Sequence, residues 1–180
     1  ANLAEAKGSE MSSGMKTIVT RTIPDKTTFK RSSVTIVAGY IFHIGMFISF
    51  FFFAPHILFF KDLIGISWPA LPTTVIDAFA VITIIALLAV LVNRLTNKVM
   101  RFLTNFEDIL TWFLTLLPLL TGYIAFHRIG FTGPSLLAIH LLSVELLLVV
   151  FPFTKLMHTF TLFLARWYNG AISGYRGVAS

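Results

Sequence analysis

The chain has 180 residues, of which 56% are hydrophobic and 12% charged, with a formal net charge of +6 and no cysteine. This composition excludes an ordinary soluble domain and indicates a membrane protein. Without cysteine, disulfides and thiolate-bound iron–sulfur clusters or zinc are excluded, so any metal chemistry must use histidine or carboxylate.

The chain begins with a polar, basic segment, residues 1–32, which favours a cytoplasmic tail over a signal peptide or a spanning helix. Four apolar blocks follow, each long enough to cross a hydrocarbon layer about 30 Å thick, which takes roughly 20 helical residues. They cover about 34–60, 75–93, 109–126 and 136–164, and they lack the alternation of a barrel strand. We therefore predict an all-α polytopic membrane protein, with a four-transmembrane-helix bundle over 33–168 and a second cytoplasmic tail over 169–180.

The distribution of Lys and Arg predicts the orientation. Eleven lie in the two tails and the connection between the second and third blocks, whereas the opposite side has only Lys61 and Arg128. Because cytoplasmic segments carry the excess of Lys and Arg, both termini are predicted to be cytoplasmic.

Histidines are the candidate metal ligands, since polar groups at membrane depth are costly unless they have a partner or a task. The chain has five, although a single buried histidine more often packs than binds a metal: His43, His56, His127, His140 and His158. In a continuous fourth helix, the eighteen residues from His140 to His158 make five turns and a rise of about 27 Å. Both rings would then project from one face at opposite membrane depths.

The first and fourth blocks are antiparallel in this topology, so depth pairs His43 with His158 and His56 with His140. Two facing imidazoles are what a six-coordinate haem iron requires, and four-helix bundles hold cofactors in this way. The sequence thus predicts two stacked haems between the helices. His56 lies about 140° off the face of His43, which a kink at Pro55 could correct. His127 remains a rival outer ligand, although its loop position favours an interfacial role.

Three stretches resemble a known family. They are "IFHIG" around His43, "FEDILTWFLTLLPLLTGY" in the third block and "FPFTKLMH" ending at His158. They resemble the cytochrome b (gamma) subunit of respiratory nitrate reductases and the related membrane cytochromes of heterodisulfide-reductase-like and dissimilatory sulfite-reduction-associated complexes. The resemblance covers about residues 33–168. The chain departs from it by lacking the extra N-terminal helix of the nitrate reductase subunit.

This resemblance implies a bundle with two b haems that oxidises quinol near the outer haem and passes electrons to an iron–sulfur subunit on the cytoplasmic face. It implies His43 and His158 as inner ligands and His140 as one outer ligand. The nitrate reductase pattern has its fourth histidine where this chain has Phe53, so His56 is the available substitute, as in the sulfur-metabolism relatives.

For other polar residues the sequence supports less specific predictions. Lys155 could pair with a haem propionate or reach lipid head groups. Glu145 could relay protons or bond to a neighbouring helix. Charged residues at the outer helix ends could release protons from a quinol site: Lys61, Asp62, Asp77 and Arg128.

The expected function is that of a di-haem cytochrome b subunit of an oxidoreductase complex in the cytoplasmic membrane. It would transfer electrons between the quinone pool and a partner iron–sulfur or other redox subunit. The alternative is a membrane anchor or assembly subunit with one or no functional haem. A transporter is disfavoured because the sequence shows no inverted repeat.

Overall fold

The structure is a computed structural model that describes residues 5–130 and 134–178; residues 131–133 of the predicted third connection lie outside this part. Helix makes up 82% of the described residues, which contain no strand, and this confirms the predicted all-α class. The helices are α1 (Glu10–Thr20), α2 (Lys26–Phe51), α3 (Ala54–Ile64), α4 (Thr73–Thr96), α5 (Lys98–Leu103), α6 (Phe106–His127), α7 (Ser135–Val150) and α8 (His158–Arg176).

Four segments of the described part of the chain are long and apolar enough to cross a membrane, as the sequence predicts: Lys26–Phe51, Thr73–Thr96, Phe106–His127 and Ser135–Phe153. The protein is therefore a multi-pass membrane protein. Its residues divide into a larger unit, 32–154, and a smaller unit, 1–31 with 155–180. The non-helical backbone of Ser32 (φ −135°, ψ 31°) inside α2 coincides with one boundary.

In the larger unit, α2 packs against α4 through small side chains. A Cβ added to Gly45 would lie 2.0 Å from Oγ1 of Thr83, which is itself fully buried. Ala38 and Phe42 of α2 form a buried cluster with Ala86 and Leu87 of α4. Small residues at this crossing let the two backbones approach closely, which is the usual basis of helix packing in a membrane.

The start of α6 is fixed by capping. The side chain of Asn105 accepts from the amide of Asp108, and the carboxylate of Asp108 accepts from the amide of Asn105. That carboxylate also pairs with Arg94 of α4 at 2.8 Å. This reciprocal capping box satisfies backbone donors that a helix start leaves open, and the ion pair joins α6 to the end of α4.

The predicted first spanning helix is interrupted near Pro55. A proline inside a helix often breaks it, because it removes a backbone hydrogen bond. α2 ends at Phe51, Phe53 is extended (φ −81°, ψ 125°), and α3 begins at Ala54 with Pro55 in its first turn. Proline has no amide hydrogen and suits a first helical turn. His56 therefore lies on α3, not on the helix that carries His43.

The prediction of one continuous fourth helix over 136–164 is wrong. α7 ends at Val150, two short 3₁₀ turns cover Phe151–Phe153 and Lys155–Met157, and α8 begins at His158. Pro152 lies in the first of these turns, and Thr154 after it is extended (φ −127°, ψ 172°). Because the helix stops, the step of 100° per residue that placed His140 and His158 on one face does not apply across this break.

The smaller unit is an antiparallel pair of helices, α1 and α8, which was not predicted. A Cβ on Gly170 would lie 2.3 Å from Oγ1 of Thr17, and one on Gly174 would lie 2.3 Å from Oγ of Ser13. The backbone amide of Lys7 also donates to the carbonyl of Tyr175 at 2.9 Å. Residues 10–20 of the predicted N-terminal tail are thus ordered against the C-terminal helix.

Candidate functional site

Two of the predicted ligands lie side by side in the larger unit. The ring centres of His56, on α3, and His140, on α7, are 6.3 Å apart, and the ring planes are within 17° of parallel. Both residues are partly buried. Phe50 and Phe53 border the His56 ring at centre distances of 5.4 and 5.2 Å, so the pair lies in an aromatic environment.

His56 is held by the break in the helix. Its Nδ1 lies 2.9 Å from the carbonyl oxygen of Phe50. A carbonyl only accepts, so Nδ1 carries the proton and the lone pair of the neutral ring is on Nε2. The next two carbonyls at the helix end, of Phe51 and Phe52, accept from Nε1 of Trp68 and the amide of Leu71. The break thus leaves none of these three acceptors unused.

His140 is held by α6. Oγ1 of Thr121 lies 2.8 Å from the carbonyl of Leu117 and 3.2 Å from Nδ1 of His140. The same oxygen lies 2.9 Å from Oγ of Ser143. When the hydroxyl proton is on the carbonyl of Leu117, the oxygen accepts from Nδ1–H of His140, and the lone pair of the neutral ring is then on Nε2. Ser143 donates to the backbone carbonyl of His140 at 2.6 Å.

Gly122 makes room for this ring. A Cβ at Gly122 would lie 2.9 Å from Cε1 of His140, closer than such contacts normally come. Thr121 and Gly122 are site residues that the sequence reasoning missed. The sequence does place a hydroxyl residue next to a glycine inside an apolar helix. This combination often marks a helix–helix contact in membranes and could have indicated the two residues.

His43 and His158 show the same local pattern in separate units. Nδ1 of His43 lies 2.6 Å from the carbonyl of Gly39, and Nδ1 of His158 lies 2.7 Å from the carbonyl of Lys155. Both rings are therefore protonated at Nδ1, with the lone pair of the neutral form on Nε2. His43 belongs to the larger unit and His158 to the smaller one, so their pairing stays a prediction.

His127 differs from the other four histidines. Its Nε2 lies 3.0 Å from Oδ1 of Asp77, and both side chains are about 30% exposed. An ionised carboxylate only accepts, so Nε2 of His127 carries a proton in this pair. The ring also lies 4.4 Å from that of Tyr123.

The remaining polar candidates are dispersed. Lys61, Asp62 and Arg128 are exposed, and Arg128 ends α6 in the left-handed conformation (φ 54°). Glu145 is exposed on α7 and makes no hydrogen bond or ion pair with any described residue. Within residues 5–130 and 134–178, no three His, Asp or Glu side chains form a metal-binding cluster.

Because the described residues form no cluster of three ligands, His56 and His140 can offer a metal ion two imidazoles. Two rings bonded to one metal ion at about 2 Å, each with its centre roughly 1.1 Å behind the nitrogen, have centres about 6 Å apart. The 6.3 Å between His56 and His140 matches this spacing. The Nδ1 bonds supply the outer contacts that usually orient metal-binding histidines. The spacing of the two ring centres is therefore compatible with a metal ion held between two imidazoles.

Comparison with known proteins finds a relative whose name states no activity. No family model and no solved structure matches the chain. A curated protein of Nitratidesulfovibrio vulgaris, named only "Protein", is 36% identical over 137 residues, which make up 74% of this chain and 59% of that relative. The chain thus spans less than two thirds of the length of the relative that it matches.

Proposed function

We propose that this protein is a membrane cytochrome b that carries electrons between the quinone pool and a partner redox subunit. It would hold two b haems, one of them between His56 and His140, and His43 and His158 are the ligands that the sequence predicts for the other. The resemblance to nitrate reductase gamma subunits and their sulfur-metabolism relatives supports the same function. In this proposal the protein lies in the cytoplasmic membrane with both termini in the cytoplasm, and an iron–sulfur subunit binds on that side.

One observation carries the proposal: which ring nitrogen of each histidine lies against an oxygen atom. All four proposed ligands place Nδ1 within hydrogen-bond distance of an oxygen, which leaves Nε2 for a metal, whereas His127 places Nε2 there. A lone pair on Nε2 is what an axial ligand needs, and an Nδ1 bond to a fixed acceptor orients it. His56 is therefore favoured over His127 as the second outer ligand.

When bound, haem supplies one-electron transfer, and the chain determines where that occurs and at what potential. The carbonyl of Phe50 and the hydroxyl of Thr121 orient the two outer imidazoles and raise their basicity. Phe50 and Phe53 exclude water from His56, which lowers the local dielectric and so affects the potential.

The pair of Asp77 and His127 is the best-placed acceptor for a proton released by quinol among the outer candidates. A carboxylate bonded to an imidazole can take up a proton and share it across the bond, and both groups are partly exposed. Lys61 and Glu145 have no contact with this pair in the described residues, so we assign them no part in it.

A haem count tests the proposal. The purified protein should contain two b haems per chain by reduced-minus-oxidised spectra. His56→Ala should lose one haem, and His127→Ala, the matched control, should retain both. A protein that binds no haem would refute the proposal, and one haem would favour the anchor. Loss of a haem in His127→Ala but not in His56→Ala would refute the outer ligand assignment.

A further inference from the structure

The short helix α5, in the connection between α4 and α6 of the larger unit, has an exposed apolar face. Val99, Phe102 and Leu103 are 67%, 88% and 65% exposed, and we call them the α5 face. At 100° per residue the three lie within one sector of about 100°. Met100, about 110° from the middle of this sector, is less exposed. The helix thus turns a different side towards the rest of the protein.

The basic side chains of α5 border this face. Lys98 lies about 40° from Phe102 round the helix, Arg101 lies about 60° beyond Lys98, and both are exposed. Neither side chain makes an ion pair or a hydrogen bond with a described residue, and residues 95–106 contain no Asp or Glu. Apolar side chains on one face with Lys and Arg alongside are typical of helices that lie in the interface of a membrane.

Hydrogen bonds hold both ends of α5. At its start, the side chain of Asn97 accepts from two backbone amides of the first turn. Beyond its end, the guanidinium of Arg94 on α4 donates to Oγ1 of Thr104 at 3.4 Å and pairs with Asp108 on α6 at 2.8 Å. α5 is therefore fixed at the ends of the two spans that it connects.

The same contacts limit the distance between α5 and the bilayer. Charged groups are costly in hydrocarbon, so the ion pair of Arg94 and Asp108 marks the edge of the hydrocarbon layer. Residues 97–105 leave this edge and return to it, and a helix as short as α5 is only about 9 Å long. Head groups extend roughly 5–7 Å beyond the hydrocarbon on each side. Every residue of α5 thus lies within or next to the head-group layer.

Depth and charge together favour lipid over a soluble protein at this surface. Phe106, the first residue of α6, is 80% exposed and adds a further apolar side chain at the same depth. The local positive charge complements anionic lipids, which attract basic segments next to a membrane. We propose that α5 lies in the head-group layer of the bilayer, with the α5 face among the lipid chains and with Lys98 and Arg101 bound to anionic head groups.

Fluorescence quenching tests the proposal on the full chain, because the sequence has no cysteine. A bimane fluorophore is attached at Phe102→Cys, and the protein is reconstituted in phosphatidylcholine nanodiscs. These contain a small fraction of either phosphatidylglycerol or phosphatidylcholine that carries a nitroxide near the head group. Ile85→Cys, exposed near the middle of α4, is the reference for a probe in hydrocarbon. Iodide in the buffer quenches probes that are in water.

We expect both nitroxide lipids to quench the probe at 102, labelled phosphatidylglycerol more strongly, and iodide to have little effect. In the labelled protein, the double change Lys98→Gln and Arg101→Gln should lower the preference for phosphatidylglycerol roughly fivefold for each charge removed, and added salt should also lower it. The matched control, Lys61→Gln with Arg128→Gln, removes two exposed basic side chains elsewhere in the larger unit and should leave the preference unchanged.

Three results would overturn the proposal. Quenching of the probe at 102 by iodide but by neither lipid would leave the α5 face to water or to a soluble partner. Equal quenching by the two labelled lipids at low salt would exclude bound anionic head groups. An equal loss of preference in both double variants would show that the total charge of the protein, and not α5, attracts the lipid.

Discussion

Replacing Gly122 by alanine should affect the protein differently from the same change at Gly39. Both glycines lie within spanning helices, and alanine at such a position normally stabilises a helix by about 1 kcal/mol. A Cβ at Gly39 meets nothing within 4 Å, whereas one at Gly122 meets Cε1 of His140 at 2.9 Å. Gly39→Ala therefore serves as the control for helix propensity alone.

The ring of His140 must move in Gly122→Ala, and it is fixed on two sides. Movement away from α6 lengthens its bond to Thr121, which contributes about 0.5–1.5 kcal/mol, and changes its spacing from His56. The expected gain from helix propensity is thus cancelled. We expect Gly122→Ala to be about 1–2 kcal/mol less stable than Gly39→Ala.

Unfolding in mixed micelles, followed by far-ultraviolet circular dichroism, measures this difference. Absorption spectra of the two variants show whether the outer haem site is altered as well. If Gly122→Ala gains as much stability as Gly39→Ala and its spectrum is unchanged, then His140 does not lie against Gly122 and the geometry of the site is wrong.

Three further changes test other contacts. Thr121→Val removes the hydroxyl that bonds to both Nδ1 of His140 and Oγ of Ser143, and it should cost about 1 kcal/mol more in chemical unfolding than Thr115→Val, whose hydroxyl bonds, among the described residues, to a carbonyl of its own helix; equal costs would contradict these two contacts between α6 and α7. Gly170→Val should separate α1 from α8 and speed tryptic cleavage at Lys16 and Arg21, while Asn169→Val on the exposed side should not; unchanged cleavage in both would refute the close crossing. The hydroxyl and amide of Thr28 hold the pKa of Asp25 below its usual range, so this contact stabilises the start of α2 above the ordinary aspartate pKa and is lost as pH falls through the lowered one; a normal or raised pKa in an NMR titration would contradict it.

The spans were predictable because uninterrupted apolar runs of this length have few alternatives. The proline effects were predictable only in part. Pro55 begins α3 and Pro152 ends a span, yet α6 continues through Pro118. A proline inside a helix costs one backbone hydrogen bond, and the neighbouring contacts decide whether the helix continues. The α1–α8 pair was not predictable, because its contacts join glycines and hydroxyls about 150 residues apart.

Both the closeness of His56 to His140 and the tautomer of His56 depend on the break near Pro55. In a continuous helix the carbonyl of Phe50 would accept from the amide of residue 54, and residue 56 would lie about 9 Å further along the axis, with its imidazole turned away from that carbonyl. With the helix ended at Phe51, that carbonyl accepts from Nδ1 of His56 instead. The break therefore places the lone pair on Nε2 and fixes the ring beside His140. The sequence could indicate a kink at Pro55, but the atom that receives the proton of His56 is defined only once the chain has folded.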